Sequence, residues 1–384
     1  MQKHPTMYAS NTNSKGLNAR QLAFFVALVV PVGKLLELPS LLTAYAGGDL
    51  LIAAVCGCLL EFSSFFALVW FAKRSGSSPM ERLRQTLGNA TARIFLGVYA
   101  LFLLVYATLP LFDLERFSHA AFSDTSPTFF TFTPFFLLCG FLCAKGLKGV
   151  GRYADLSPVL CLFPLLLLLG MSAPKADFSR LLPVMEKPIS VSLKAVWRLL
   201  PYFSVGGVLL PLMGEYTYSE GDEKKLLPAF GVGTILSLLF LATFFGVFGL
   251  LGETEKYAVI KIGQFFPALR FIGRVDLLVA YVLTVVLFFY TALPLQLSVE
   301  CFCRCANLRG KAIPSAVLCV GAYFALLFLN KYNNAIHNFF FTAMPPVFLL
   351  FSVVFPWLFL AFLSKNKGSR YASSGNTAQN SGEK

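Results

Sequence analysis

Three ionisable side chains stand where a lipid-facing stretch should be apolar. Lys34 and Glu37 lie about fourteen and about seventeen residues into the apolar run 21–45, and Glu61 lies about thirteen residues into the run 49–72. A charge near the middle of a bilayer costs at least about 2.5–3.5 kcal/mol on insertion scales, so such groups pair with one another or face a cavity. If consecutive runs cross in opposite directions, Lys34 and Glu61 share a depth. Lys34 and Glu37 are three apart, on one helix face wherever that segment stays helical. The expectation is a buried charge network of Lys34, Glu37 and Glu61 with a net charge of −1, neutralised by a proton, a metal cation or the ammonium of a bound amino acid. The bland alternative is a structural Lys–Glu clamp with the spare Glu protonated.

Backbone irregularity falls beside these charges. The first run contains Pro31-Val-Gly33-Lys34-Leu-Leu-Glu37-Leu-Pro39, and the run 197–214 contains Pro201 and then Ser204-Val-Gly-Gly207-Val-Leu-Leu-Pro211. A helix broken inside a bilayer is tolerated only where it lines a cavity or is buried in protein. Gly206 and Gly207 either open the backbone toward a ligand or permit close helix packing. On the first reading, a branched side chain at Gly206 blocks binding while the protein still inserts.

Other chemistry is poorly supplied. His4, His119 and His337 are too few and too dispersed for a histidine-built metal or catalytic centre. No nucleophile, base and orienting group recur together, so an enzyme is not expected, and neither is a cofactor. Six of the nine cysteines (56, 58, 139, 143, 161 and 319) fall inside apolar runs, where a free thiol behaves as a small hydrophobe. The run Cys301-Phe-Cys-Arg-Cys305 lacks the CxxC spacing of zinc sites and is read as structural. Arg274-Val-Asp276 and Glu215 stand at run ends, where charges are usually interfacial.

The elements that must position these residues follow from composition. Of 384 residues, 57% are apolar and 13% charged, against about 25% charged in soluble proteins, so the chain is read as a membrane protein with apolar material for about ten spans. The runs fall at about 21–45, 49–72, 92–112, 129–147, 154–172, 197–214, 226–251, 273–299, 312–330 and 337–363. With a cytoplasmic N-terminus the inner segments carry 20 Lys and Arg and the outer ones 10, an asymmetry that places both termini in the cytoplasm. The net charge of +13 records this topology rather than a nucleic-acid partner. Residues 1–19 form a cytoplasmic tail with no cleavable signal peptide. A single transmembrane domain spans 20–364, and 365–384 is expected to be a disordered cytoplasmic tail. Ser78-Pro-Met-Glu81 has capping-box spacing, so 79–90 reads as a short interfacial helix.

Breaks in the first and sixth of ten spans fall at matching positions of two halves, about 20–172 and about 195–364. That is the pointer to an inverted five-plus-five repeat with a midplane site, where half-helix ends supply partial charges.

Leu17-Asn-Ala-Arg-Gln-Leu22 leading to Pro39, Ala46-Gly-Gly-Asp49, Lys145-Gly-Leu-Lys-Gly-Val-Gly-Arg152, Pro211 with Glu215, and Arg274-Val-Asp276 together resemble the spore-germination permease family over about residues 17–364. Members are the B subunits of nutrient-germinant receptors and belong with the amino acid, polyamine and organocation transporters. The resemblance implies an all-α, ten-helix, LeuT-like fold with broken helices 1 and 6, located in the spore inner membrane. It also implies a small-molecule germinant, often an amino acid, and partnership with an A subunit and a lipoprotein C subunit. Carried onto this chain, the ligand site involves Val32, Gly33 and Lys34 with Ser204, Gly206 and Gly207. Lys34 departs from the small uncharged residue usual there, which points to a different ligand or to a non-sensing paralogue. The competing functions are a proton-coupled secondary amino-acid transporter, working through Glu61 or Glu37, and a structural subunit that only holds the A subunit.

The topology is testable. A cysteine introduced as Ser373→Cys is expected to resist an impermeant thiol reagent added outside sealed right-side-out vesicles and to react once they are opened. Labelling from the outer face would reverse the assignment.

Overall fold

A computed structural model describes residues 18–75, 84, 88–121, 128–146, 155, 162–183, 185–213, 216, 218–265, 275–308 and 310–361. The two tails, most of the helix expected over 79–90, Glu215 and Arg274 lie outside them. Among the described residues there is no strand.

The first apolar run is two helices, not one. Gln21 accepts a hydrogen bond from the Asn18 amide (3.2 Å) at the start of α1, Ala19–Val32. Pro31 has no amide to continue the ladder, and the helical bonding gives way at Gly33. After an irregular stretch from Gly33 to Glu37, Pro39 sits in the first turn of α2, Leu38–Ala46, where a missing amide costs nothing. Gly47, at φ 65°, turns the chain into a 3-10 turn and α3, Leu50–Ser75.

The helices that follow are α4 (Asn89–Ala121), α5 (Thr128–Lys145) and α6 (Phe163–Ser172). Next come α7 (Ile189–Arg198), α8 (Val205–Met213), α9 (Glu223–Phe248) and α10 (Ala258–Phe265). The last are α11 (Val275–Cys305), α12 (Ala312–Asn330), α13 (Asn333–Thr342) and α14 (Pro345–Leu349), which continues through a π-helical turn at Leu350–Val354 to Ala361. By length and composition, four described stretches can cross a membrane: Leu38–Arg74, Asn89–Asp113, Glu223–Glu253 and Ala312–Asn330. Two further pairs bend sharply, α7 against Leu200–Met213 by 80° and α13 against Pro345–Ala361 by 57°.

Three expectations change in detail. The connection expected over 173–195 is shorter, because α7 begins at Ile189 and buries Ser192, Ala195 and Val196. The connection expected over 252–272 carries α10, tied to the first break by Ala258 N–H donating to Leu36 O at 3.1 Å. The last apolar run, expected to be continuous over 337–363, is also broken, between Thr342 and Pro345, with no charge in the sequence to announce it.

Packing is outward-apolar. Ile313, Leu137 and Leu59 are 78%, 71% and 62% exposed, a distribution that in water would be an aggregation surface and in lipid is solvation. The long helix α4 lies against α11, and α1 lies against α9. Gly233 of α9 makes the second contact close, since a Cβ there would stand 2.9 Å from Ala27 O. Rings fill the centre, with Phe102 stacked on Phe351 at 4.3 Å between centroids.

Candidate functional site

The last carbonyls of α1 and the first amides of α8 have no partners within their own helices, and in a dry interior each must find one. Backbone amides serve the Pro31 and Val32 carbonyls, and Lys34 and Glu61 supply the partners for one further carbonyl and one amide. The Lys34 ammonium donates to Val30 O at 2.7 Å and sits 2.8 Å from Glu61 Oε2. Glu61 Oε1 accepts from the Val205 amide, at the head of α8, at 3.3 Å. Both side chains are closed to solvent, at 1% and 0% exposure. The cation therefore meets the negative end of one half-helix and the carboxylate meets the positive end of the other, the favourable sense for both dipoles. The Phe203 ring, in the 3-10 turn Leu200–Phe203 that precedes α8, lies 5.7 Å from the ammonium and completes its shell.

Glu37 goes elsewhere. The segment between Gly33 and Glu37 is not helical, so the three-residue spacing does not stack Lys34 on Glu37. Glu37 Oε2 lies 3.3 Å from His337 Nε2 of α13, and His337 presents an edge to Phe341 at 4.5 Å. Of the three charges expected as one network, Lys34 pairs with Glu61 between the first and second apolar runs, and Glu37 lies beside His337 between the first run and α13.

The other expected residues separate by environment. Val32 is buried in the last turn of α1, its carbonyl accepting from Leu35 N–H at 3.3 Å. Ser204 bonds Pro201 O at 2.6 Å and receives the Ser352 hydroxyl on its own carbonyl at 3.0 Å. Gly206 and Gly207 face neighbouring helices. A Cβ on Gly206 would meet Ser64 Oγ at 2.5 Å and Ser352 O at 2.9 Å, and one on Gly207 would meet Ser352 Oγ at 2.7 Å. The Gly207 carbonyl accepts from Tyr99 OH at 2.5 Å. Gly33 differs from them because it lines a cavity, and there the Tyr290 hydroxyl stands 2.5 Å from where its Cβ would be.

That cavity also touches Tyr106, Leu109, Asp113, Tyr202 and Phe348, and it has about 10 Å³ of room for a water centre, enough for about one water molecule. The Tyr106 and Tyr290 hydroxyls bond each other across it at 2.8 Å. None of these side chains was legible as a site residue. Tyrosines in an apolar run read as core, and Asp113 reads as an ordinary charge at the end of a span. This arrangement can hold two half-helices in one closed register and keep a small chamber beside them.

A branched side chain at position 206 therefore meets protein. Gly206→Val is expected to lower the amount of membrane-inserted protein and its melting temperature, because the Ser352 carbonyl is backbone and cannot rotate away; overpacking of this kind costs about 1–3 kcal/mol. Normal level and stability with lost ligand response, measured on the purified variant, would return Gly206 to a ligand-facing role.

The chain is similar in structure to two variants of the manganese transporter of Eremococcus coleocola. One aligns with a TM-score of 0.53 and the other with 0.52, each at 13% identity over 90% of this chain and 85% of that one. A Na+-coupled sialic acid symporter aligns with a TM-score of 0.49 at 12% identity, over 86% of this chain and 79% of that one. At such identities the likeness to the manganese transporter establishes the fold alone, which is of the LeuT type. No curated protein sequence matches. Residues 19–338 match the family described as spore germination protein, a span that includes both helix breaks, both charge pairs and the described walls of the cavity except Phe348. By that match the chain belongs to the spore germination protein family.

Proposed function

We propose that this chain is the germinant-sensing membrane subunit of a spore nutrient receptor, taking up a small solute, often an amino acid in such receptors, beside the breaks in spans one and six. The solute's binding energy would be relayed to an A subunit and a lipoprotein C subunit in the spore inner membrane, with both termini in the core. The observation that carries the reading is the closed ion pair that joins the two breaks next to a chamber. Such a pair makes a two-state element, because a ligand that separates the half-helices must also part the charges, and one that holds them together need not.

Ten spans in two inverted halves of five suit this reading. Exchanging spans one to five with six to ten maps span three onto eight and four onto nine, and α4 packs on α11 as α5 packs on α12. The same exchange maps the contact of spans one and seven, α1 on α9, onto that of spans six and two, α8 on α3.

A transporter is the second reading, favoured by the likeness to the manganese transporter fold. Against cation coupling, Lys34 already supplies the positive charge that the first break calls for. Uptake assays separate the two: a receptor reconstituted in proteoliposomes binds its solute without net accumulation, whereas a transporter concentrates it when a proton gradient is imposed.

The pair itself is testable by substitution. Lys34→Met leaves Glu61 without its cation in a dry interior, where breaking a buried pair costs about 3–5 kcal/mol. Protein level and germination response are expected to fall. Adding Glu61→Gln, which keeps an acceptor for the Val205 amide and removes the charge, should restore much of the level. A double variant no better than Lys34→Met would show that the two residues share no charge network. A double variant that is stable and assembled yet unresponsive would give the pair a part in sensing.

A further inference from the structure

The helix that leads into the second break does not run the way a membrane-crossing helix runs. α7 leaves Leu200–Met213 at 80°, and Leu200–Met213 packs on α3, which lies within a stretch able to span a membrane. A helix at that angle to a crossing segment lies close to the bilayer plane. Both its ends are fixed at one rim of the molecule, where α2 turns into α3. The Asp49 carboxylate, 2% exposed, accepts the amides of Met185, Glu186 and Lys187 at 2.8, 3.1 and 2.7 Å, just before α7 starts. At the other end the Arg198 guanidinium lies 5.2 Å from the ring of Tyr45, in the last turn of α2. Ser192, Ala195 and Val196 turn inward and are buried. The opposite face is exposed and carries two parallel rows. Ile189, Leu193 and Trp197 recur every four residues at 51%, 51% and 45% exposure, and Ser190, Lys194 and Arg198 recur beside them. From Lys187 to Arg198 the sequence holds three basic residues and no acid.

We infer that the exposed face of α7 is a docking surface for an anionic phospholipid of the surrounding bilayer, with the lipid's phosphate held by Lys194 and Arg198 and its upper acyl carbons laid on Ile189, Leu193 and Trp197. A helix with an apolar row beside a basic one settles at the boundary between headgroups and chains. An indole suits that depth, because its rings are apolar and its N–H still finds an acceptor. Two neighbouring cations above an apolar strip complement the two parts of one lipid, and they favour a headgroup of net negative charge. A zwitterionic headgroup offers the same phosphate with an ammonium that cancels its field. Occupancy bears on the break itself. α7 is followed by the turn Leu200–Phe203, whose Phe203 ring stands against the Lys34 ammonium, and then by the Val205 amide on Glu61. With its start bolted to Asp49 and its face seated in lipid, α7 cannot tilt freely, so the lipid helps to hold the second break in its closed register. The inference needs only that the chain sits in a bilayer, and it stands for a receptor and for a transporter alike.

The test reads Trp197 directly. The chain has three tryptophans, so Trp70→Phe with Trp357→Phe leaves Trp197 as its single indole. The full chain is placed in phosphatidylcholine nanodiscs that carry rising fractions of lipid brominated high on its acyl chains, with either a phosphatidylglycerol or a phosphatidylcholine headgroup. Brominated phosphatidylglycerol is expected to reach half-maximal quenching at a fraction at least about ten-fold lower than brominated phosphatidylcholine. Lys194→Gln with Arg198→Gln should remove most of that difference. Because Arg198 also packs on Tyr45, Ser190→Glu is measured beside it. A carboxylate in the first turn suits the helix dipole, so α7 keeps its fold while the basic row gains a negative charge, and the preference should fall about three- to ten-fold. The same preference is read without any tryptophan change from the lipid that stays with the chain through mild detergent extraction, which is expected to be enriched in phosphatidylglycerol. Equal quenching by the two brominated lipids would overturn the inference and leave α7 touching lipid of any kind. Quenching by neither, with Trp197 open to a water-soluble quencher, would also overturn it and assign the face to a protein partner. A preference for phosphatidylglycerol that survives in both folded variants would move the lipid site elsewhere.

Discussion

A lysine ammonium and a glutamate carboxylate, both sealed from solvent, meet where the first apolar stretch loses its helix. Each does two jobs. Lys34 answers the Val30 carbonyl at the end of α1 as well as Glu61, and Glu61 answers the Val205 amide at the start of α8 as well as Lys34. In lipid there is no water to take over any of these bonds, so opening either break exposes backbone groups and charge together. Two helix interruptions that would separately be expensive are held by one pair. Replacing a buried ion pair with matched apolar side chains is often harmless to stability, so the interest of this one lies in specifying a register for the two half-helices.

The neighbouring packing depends on that register. With α8 drawn to Glu61, Gly206 comes against Ser64 and Ser352, and Gly207 against Ser352 and Phe102, contacts that leave no space for a Cβ. The Ser352 hydroxyl then reaches Ser204 O from the π-helical turn of span ten, where an extra residue in the turn redirects the side chains. Span ten is in turn bent at Thr342–Pro345, which brings His337 to Glu37 at the far side of the first break. The broken helix pairs α1–α2, α7–α8 and α13–α14 therefore form one connected assembly around the chamber, while the long paired helices α4 and α11 form a wall along it.

Much of this was legible from the chain because membrane insertion is a severe filter. Charges at Lys34 and Glu61 had to pair, and antiparallel crossing put them at one depth; Pro31, Gly33 and Pro39 marked the first break, and Pro201 with the following glycines marked the second. What local pattern could not show was which face each residue turns to which neighbour. Glu37 was grouped with Lys34 because three-residue spacing places side chains together on a helix, and the backbone there is not helical. His337 looked isolated because its partner depends on a bend in span ten that no charge announces. Gly206 and Gly207 looked like an opening because the sequence does not say that Ser64 and Ser352 cover them. Asp113 and the chamber tyrosines were passed over for the same reason: the cavity wall is assembled from five apolar runs, and no single run carries its signature.

The central claim is that Glu61 is ionised and paired with Lys34 in the resting protein. Infrared difference spectroscopy between the wild type and Glu61→Gln in lipid tests it most directly, with carboxyl-labelled glutamate to isolate the bands. Loss of a carboxylate antisymmetric stretch in the variant is the result this account predicts. Loss of a protonated-acid carbonyl stretch instead would mean that Glu61 carries a proton beside Lys34, and the ion pair that joins the two breaks would not exist.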